Sequence, residues 1–198
     1  MEMDARTELG YSFYKSFTQE VSPDGKWFVA TIVYRPTVGE SSIMFYALDG
    51  SGDKWEWIAP GGATNIYWSR DGESITFDGF LQQFLFNITT RTYEYVFDFE
   101  ASHAEWSPDD RWIAFATRDE DNYWGRGALD VLDRETGKVQ RLIDDIYRSP
   151  ISWSSDGEWI AFAGGAPRQL FKVRRDGSDL QQLTYVDCPV KGASWSPR

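Results

Sequence analysis

The chain has 198 residues, with 20 Lys or Arg and 31 Asp or Glu, and therefore a formal net charge of −11. This length fits one domain or slightly more, and the negative charge argues against a protein that binds nucleic-acid phosphates or an anionic membrane surface. A single cysteine, Cys188, excludes an internal disulfide framework and a multi-cysteine metal site.

The composition indicates many short strands. Aromatic residues make up 17% of the chain, with 10 Trp, 10 Tyr and 13 Phe. Gly, Asp, Ser and Thr separate short apolar runs, which is typical of an all-β chain. These runs are too short to cross a bilayer as a helix. A disordered chain is excluded, because such chains are poor in aromatic residues.

One short motif recurs five times along the chain, with a serine followed by a Pro-Asp-Gly-like corner and then an aromatic-aliphatic strand. The copies lie at residues 21–28, 68–75, 106–113, 153–160 and 195–198. Successive serines are 47, 38, 47 and 42 residues apart. A period of about 40–45 residues with strand signals is typical of a four-stranded propeller blade.

Each copy predicts a tight turn between two strands. Proline presets φ at the first corner, Asp accepts hydrogen bonds from nearby amides, and Gly supplies the positive φ that closes the turn. These roles explain Asp24, Asp71, Asp109 and Asp156, so no metal ion is predicted there. The third copy has Asp110 in place of Gly, and Asp tolerates the left-handed region better than most residues.

Two more strand signals joined by a hairpin complete each period. The sequence thus predicts a single all-β domain over residues 1–198, a β-propeller of four-stranded antiparallel blades. The blades are expected at about 17–60, 61–100, 101–145 and 147–187, with one extra strand at about 190–196. Three interpretations stay open: a part of a larger propeller, a four-bladed ring that uses the extra strand in closure or exchange, or a half-propeller that closes by oligomerisation.

The repeat resembles that of TolB-type β-propellers, which are also called WD-like repeats. The fourth copy carries the resemblance best, in residues 152–162 and 170–184, and the likeness covers about residues 17–198. It implies a propeller fold but no particular activity, since one fold hosts many functions. Similar propellers in peptidases accompany a separate α/β-hydrolase domain, for which this chain has neither the length nor a Gly-x-Ser-x-Gly elbow. We therefore expect a non-catalytic protein that needs no cofactor.

The strand before each turn is expected to be innermost and to line the central channel. Side chains two residues apart share a strand face, so counting back from the serines predicts a channel-mouth site. This site would take a cation, a basic peptide or a polar ligand. Its candidate residues are Glu20, Asn65, Tyr67, His103 and Glu105.

Other aromatic and acidic residues are candidates for partner contact. The loop that contains Asp119, Asp121, Tyr123 and Trp124 is predicted to be exposed, and long loops on rigid scaffolds carry function. Trp55 and Trp57 do not follow the repeat, and could form a sugar-stacking or protein-contact surface.

The leading functional hypothesis is an interaction scaffold for a protein or peptide with a basic face. The alternatives are a carbohydrate- or small-molecule-binding propeller, with or without lyase or hydrolase activity, and the propeller part of a larger peptidase-like enzyme. Open blade edges would also favour self-association. The N-terminal residues have no signal-peptide pattern, so the predicted compartment is the cytoplasm for the chain as it stands, or the periplasm or exterior if a leader is removed.

Overall fold

The computed structural model describes residues 15–35, 40–59, 62–79, 83–97, 101–118, 125–192 and 194–195. Within these ranges every regular element is a β-strand, and none is a helix. The predicted all-β class is confirmed. No helix in this part of the chain is long and apolar enough to cross a membrane.

The strands form four consecutive sets of four, which we number as sheets 1 to 4. Sheet 1 contains β1 (Lys15–Val21), β2 (Trp27–Arg35), β3 (Glu40–Ala47) and β4 (Lys54–Ala59). Sheet 2 contains β5 (Ile66–Trp68), β6 (Ser74–Asp78), β7 (Gln83–Asn87) and β8 (Thr92–Phe97). Sheet 3 contains β9 (Ala101–Trp106), β10 (Trp112–Arg118), β11 (Arg126–Asp133) and β12 (Lys138–Tyr147). Sheet 4 contains β13 (Ser152–Trp153), β14 (Trp159–Gly164), β15 (Gln169–Arg174) and β16 (Gln181–Gln182).

Neighbouring strands in each sheet are antiparallel and follow chain order. Sheets 3 and 4 are also joined, because the end of β12 pairs with the end of β14 at Ile146 and Gly164. The first strand of each sheet contacts the first strand of the next, so β1 meets β5, β5 meets β9 and β9 meets β13. The first strands are therefore innermost around a common axis, as a propeller requires.

The extra strand expected at 190–196 is not formed in the described residues 190–192 and 194–195, which belong to no strand. Instead, this segment runs beside the innermost strand of sheet 4. The Trp195 backbone N–H donates to Ser152 Oγ at 3.1 Å, and the Val190 N–H donates to the Arg168 carbonyl at 3.1 Å. Isolated hydrogen bonds therefore replace a backbone ladder.

Three apolar clusters fill the gaps between successive sheets, and a repeated tryptophan belongs to each of them. Trp68 packs against the cluster between sheets 1 and 2, Trp106 lies in that between sheets 2 and 3, and Trp153 in that between sheets 3 and 4. Trp106 Nε1 donates to the Tyr67 carbonyl at 3.3 Å, and Trp153 Nε1 donates to the Glu105 carbonyl at 2.9 Å. The repeated tryptophans thus fasten one sheet to the one before it.

The turn aspartates have the local role that the sequence predicts. In sheet 1, Ser22 Oγ donates to Asp24 Oδ1 at 2.6 Å, and the Trp27 N–H donates to Ser22 Oγ at 2.9 Å. The same serine–aspartate hydrogen bond recurs at Asp71, Asp109 and Asp156.

Asp110 adds a contact between sheets that a glycine could not make. Its φ is 55°, in the left-handed region. Its carboxylate accepts hydrogen bonds from the Arg70 and Asp71 backbone N–H groups of the preceding turn, at 2.6 and 2.9 Å. Asp110, which replaces the glycine of the other copies, therefore connects the turn of sheet 3 to the turn of sheet 2.

Candidate functional site

Four of the five candidate channel residues meet around the gap between sheets 2 and 3. The Tyr67 hydroxyl lies near the backbone N–H of His103. The negative charges of Asp78 and Glu105 raise its pKa. Asn65 Nδ2 donates to Asp78 Oδ2 at 2.7 Å. The fifth predicted residue, Glu20, lies on the exposed side of β1 in sheet 1.

His103 and Glu105 do not share a strand face, contrary to the simple count of two residues. Glu105 pairs with Ala114, and Ser102 pairs with Ala116, so β9 has one extra residue here. His103 lies in this β-bulge, with a φ of 56°. Bulges re-aim side chains and backbone groups, and this one directs the His103 N–H at Tyr67 and Asp78. Ser102 takes the face that the count assigned to His103.

The deepest polar groups of the site are Asp78 and Gln83, which the sequence did not single out. They are cross-strand partners on β6 and β7, with Asp78 5% and Gln83 0% exposed. Among the described residues, Asp78 Oδ1, Gln83 Nε2 and Gln83 Oε1 have no hydrogen-bond partner. The Gln83 side chain nevertheless lies near enough to Asp78 for hydrogen bonding between them to lower the pKa of Asp78. Each unpartnered buried polar group costs about 1–3 kcal/mol.

The repeat shows how unusual this pair is. The residue nine positions after the turn serine is Thr31, Asp78 and Ala116 in sheets 1, 2 and 3. Its cross-strand partner is Ile43, Gln83 and Leu129, respectively. Ile43 and Leu129 are fully buried members of the apolar clusters that face the following sheet. Only sheet 2, of these three, carries a carboxylate and an amide there.

Burial dominates the electrostatics of the gap. Desolvation raises the pKa of Asp78 to about 6, although Asn65, Gln83 and the positive charge of Arg148 oppose the shift. Desolvation and the same Arg148 charge lower the pKa of His103. Arg148 Nε donates to Ser102 Oγ at 3.2 Å, which holds the guanidinium at this end of sheet 3. Asp78 is thus a buried carboxylate with a nearby compensating cation.

Glu105 lies nearer the axis and is half-buried. Desolvation raises its pKa to about 7, against the attraction of Arg70. No hydrogen bond reaches its carboxylate from the part of the chain that the structure describes. Tyr67, between Glu105 and Asp78, has its pKa raised by burial first and by the two carboxylates next. Burial also raises the pKa of Glu20. Two carboxyl groups with raised pKa values, Glu20 and Glu105, therefore lie on inner strands.

The chemistry available is hydrogen bonding and charge pairing. The described residues contain no group of three or more His, Cys, Asp or Glu that could hold a metal ion. Aligning the repeats by the turn serine would have found Asp78, because it stands out against Thr31 and Ala116. Nothing local marks Gln83 or Arg148, whose roles depend on strand register and on a contact made across sheets.

Two other predicted surfaces have different outcomes. Asp119, Asp121, Tyr123 and Trp124 lie outside the described residues. Trp55 and Trp57 do not form an open stacking surface, because both pack against the apolar cluster between sheets 1 and 2.

No protein-family model matches the chain, and no curated protein matches it in sequence. Solved structures do match its fold. The propeller domain of the trilobed protease from Pyrococcus furiosus is 13% identical, with a TM-score of 0.63 over 88% of this chain and 58% of that chain. An oligogalacturonate lyase in complex with manganese is 15% identical, with a TM-score of 0.67 over 86% of this chain and 53% of that chain. This chain therefore spans somewhat more than half the length of either.

The four-stranded sheets and the contacts between successive inner strands define the chain as a β-propeller. A structure described as TolB from Agrobacterium tumefaciens is 16% identical, with a TM-score of 0.51 over 85% of this chain and 80% of that chain. The chain has a TolB-like β-propeller fold, as the sequence predicts. This fold occurs in TolB and also in a protease and a lyase, so function has to be argued from the site.

Proposed function

We propose that this propeller is a non-catalytic interaction scaffold that binds a protein or peptide through a basic group. The group would enter along the inner strands and pair with Glu105 and Glu20. The observation that carries the proposal is the position of Glu105. It is half-buried on an innermost strand, and no described residue hydrogen-bonds to its carboxylate.

Electrostatics support a basic partner. A desolvated carboxylate gains more from an incoming cation than an exposed one does, because the local dielectric is lower. The overall charge of −11 would also speed the approach of a basic partner. Arg70 already acts on Glu105 and Arg148 on Asp78, whereas burial is the only cause of the pKa shift at Glu20.

A library of short peptides with one or two Lys or Arg residues tests this proposal. We expect some of them to bind, and their affinity to fall as the salt concentration rises. The variant Glu20→Gln/Glu105→Gln should bind at least about tenfold more weakly, since a close charge pair contributes more than 1 kcal/mol. Glu94→Gln is the matched control, because Glu94 is exposed on the outer strand β8. Equal binding by the inner and outer variants would contradict the proposal.

A further inference from the structure

The outer edge of sheet 2 is formed by β8, which pairs with β7 on its inner side. Within the described ranges of the chain, no strand pairs with its outer side. That side therefore presents a row of backbone N–H and C=O groups to solvent. Residues 92–95 are all exposed. An extended polypeptide is the ligand that matches such an alternating row of donors and acceptors.

The other outer strands have features that discourage strand pairing. β12 contains four charged residues, among them Asp145 with a φ of 63°. β16 has two residues, and β4 carries the charged Lys54 and Glu56. Charge, shortness and backbone irregularity all protect a sheet edge. β8 has six residues, TYEYVF, of which Glu94 alone is charged. It is therefore the outer strand best suited to accept another strand.

Two exposed tyrosines provide an apolar surface beside this edge. Tyr93 is 45% exposed and Tyr95 is 56% exposed, and as alternate residues they share one face of β8. The Tyr93 ring centroid lies 5.3 Å from that of Trp57, and the Tyr95 centroid lies 5.0 Å from that of Phe84. These contacts position both rings on the side of sheet 1 and leave much of each ring open. Residues of an added strand that lie opposite the tyrosines would pack on them.

Arg91 lies at one end of this surface and selects the charge of the ligand there. It is exposed, it directly precedes β8, and its guanidinium carbon lies 4.6 Å from the ring centroid of Trp55 in sheet 1. A carboxylate opposite Arg91 would accept a charge-assisted hydrogen bond. Acidic residues elsewhere in the ligand are disfavoured by Glu94, which lies between the tyrosines, and by the overall charge of −11.

We propose that β8 binds an extended peptide as a fifth strand of sheet 2. The added strand is antiparallel, as are the other pairs of this sheet. Apolar peptide residues lie opposite Tyr95 and Tyr93, and an acidic residue lies opposite Arg91. The order along the peptide is therefore apolar, neutral, apolar, neutral, acidic. This surface is separate from the inner strands of the proposed function.

The capped peptide Ser-Val-Thr-Val-Thr-Glu-Ser has this order and tests the proposal. It is titrated into isotope-labelled protein while the backbone amides of β8 are followed by nuclear magnetic resonance. We expect saturable shifts centred on β8. We also expect slower hydrogen exchange at alternate β8 amides, because the new interstrand hydrogen bonds protect them.

Two control peptides test whether the backbone edge is used. They have the same sequence and carry N-methyl groups on alternate amides, one on the odd and one on the even positions. Only one of these two sets faces β8 in an antiparallel pair. We expect the peptide methylated on that set to bind about tenfold more weakly or worse, since it loses its donated hydrogen bonds. The other should bind nearly as well as the parent peptide.

Protein variants locate the side-chain contacts. Tyr93→Thr/Tyr95→Thr keeps β-forming residues on the strand but removes both rings, and should weaken binding about fivefold or more. Val139→Thr is the matched control, because Val139 is 43% exposed on the outer strand β12, and should not change the affinity. Arg91→Gln should weaken binding of the parent peptide about two- to fivefold. It should not affect a peptide with Gln in place of Glu.

The test is independent of the proposed function. The peptide contains no Lys or Arg, so Glu20→Gln/Glu105→Gln should bind it with unchanged affinity. A failure of basic peptides to bind the inner strands would leave this result as it is.

Four results would overturn the proposal. If the parent peptide gives no saturable shift, β8 does not accept a strand of this pattern. If both methylated peptides bind as tightly as the parent, the backbone edge is not used. If the tyrosine and arginine variants all bind with unchanged affinity, the peptide binds elsewhere. If the protein dimerises with its β8 amides protected in the absence of peptide, a second copy occupies the edge.

Discussion

The gaps on the two sides of sheet 2 are built differently. Towards sheet 1 the gap is aromatic. Phe45 stacks on Trp55 with 3.8 Å between ring centroids, and Phe77 stacks on Phe84 with 4.9 Å. Its polar groups include the Thr31 hydroxyl, which accepts from Thr18 N–H at 3.1 Å. Towards sheet 3 the gap begins with an apolar cluster but contains Asp78 and Gln83 as well.

Strand alternation allows one sheet to serve both gaps. Phe77 and Phe84 belong to the cluster shared with sheet 1, and the next residues, Asp78 and Gln83, point to the other face. Each gap of a propeller can therefore change without rebuilding its neighbour. The aromatic gap stabilises the fold, and the polar gap keeps unpartnered hydrogen-bonding groups at a cost in stability.

The largest expected effect comes from emptying the aromatic gap. Phe77→Ala should lower the free energy of unfolding by about 3–5 kcal/mol, because it removes a fully buried ring from a packed cluster. Urea denaturation followed by tryptophan fluorescence measures the change. Val139→Ala is the control, since Val139 is 43% exposed, and should stay within about 0.5 kcal/mol. A loss below about 1 kcal/mol at Phe77 would show that this gap is not a packed core.

The polar gap should make stability depend on pH. Burial raises the pKa of Asp78 from 3.8 to about 6 and that of Glu105 from 4.5 to about 7. The folded state therefore holds more protons than the unfolded state between about pH 4 and 7, and stability falls as the pH rises through this window. The shift at Asp78 alone corresponds to about 2–3 kcal/mol. Urea denaturation at pH 5 and pH 8 measures it.

Asp78→Asn separates the two carboxyl groups in that experiment. The variant should lose most of the Asp78 contribution and keep the Glu105 contribution, so its stability should differ less between pH 5 and pH 8. Below about pH 4 a reverse trend is expected, because hydrogen bonds from Lys26 and then Ser22 hold the pKa of Asp24 at about 2. Stability that rises steadily from pH 5 to pH 8 would contradict the assignment of a buried carboxylate.

A smaller effect is expected at the turns that flank the polar gap. Asp110→Gly keeps the left-handed backbone but removes the two hydrogen bonds to the Arg70 and Asp71 N–H groups. We expect a loss of about 1 kcal/mol. Gly157→Ala is a useful comparison, because Gly157 has a φ of 70° and makes no such bonds. An Asp110→Gly protein as stable as the parent would show that the contact between the turns contributes nothing.

The repeat made most of the fold predictable. The serine–aspartate turns and the tryptophans that fasten successive sheets follow from residue types at a fixed period, so the sequence is sufficient for them. The bulge at His103 was missed, because one extra residue in β9 leaves no local signature. Trp55 and Trp57 were candidates for a contact surface because they do not follow the repeat, but both pack against the cluster between sheets 1 and 2. Gln83 depends on pairing with β6, which no local pattern reveals.

The free energy of unfolding of Gln83→Leu at pH 7 tests most directly whether the polar gap is kept at a cost in stability. Leucine is the residue that sheet 3 carries at this register, as Leu129. We predict that Gln83→Leu is more stable than the unchanged protein by about 1 kcal/mol or more, while Leu129→Gln is less stable. A Gln83→Leu protein that is destabilised would mean that the amide already has its partners.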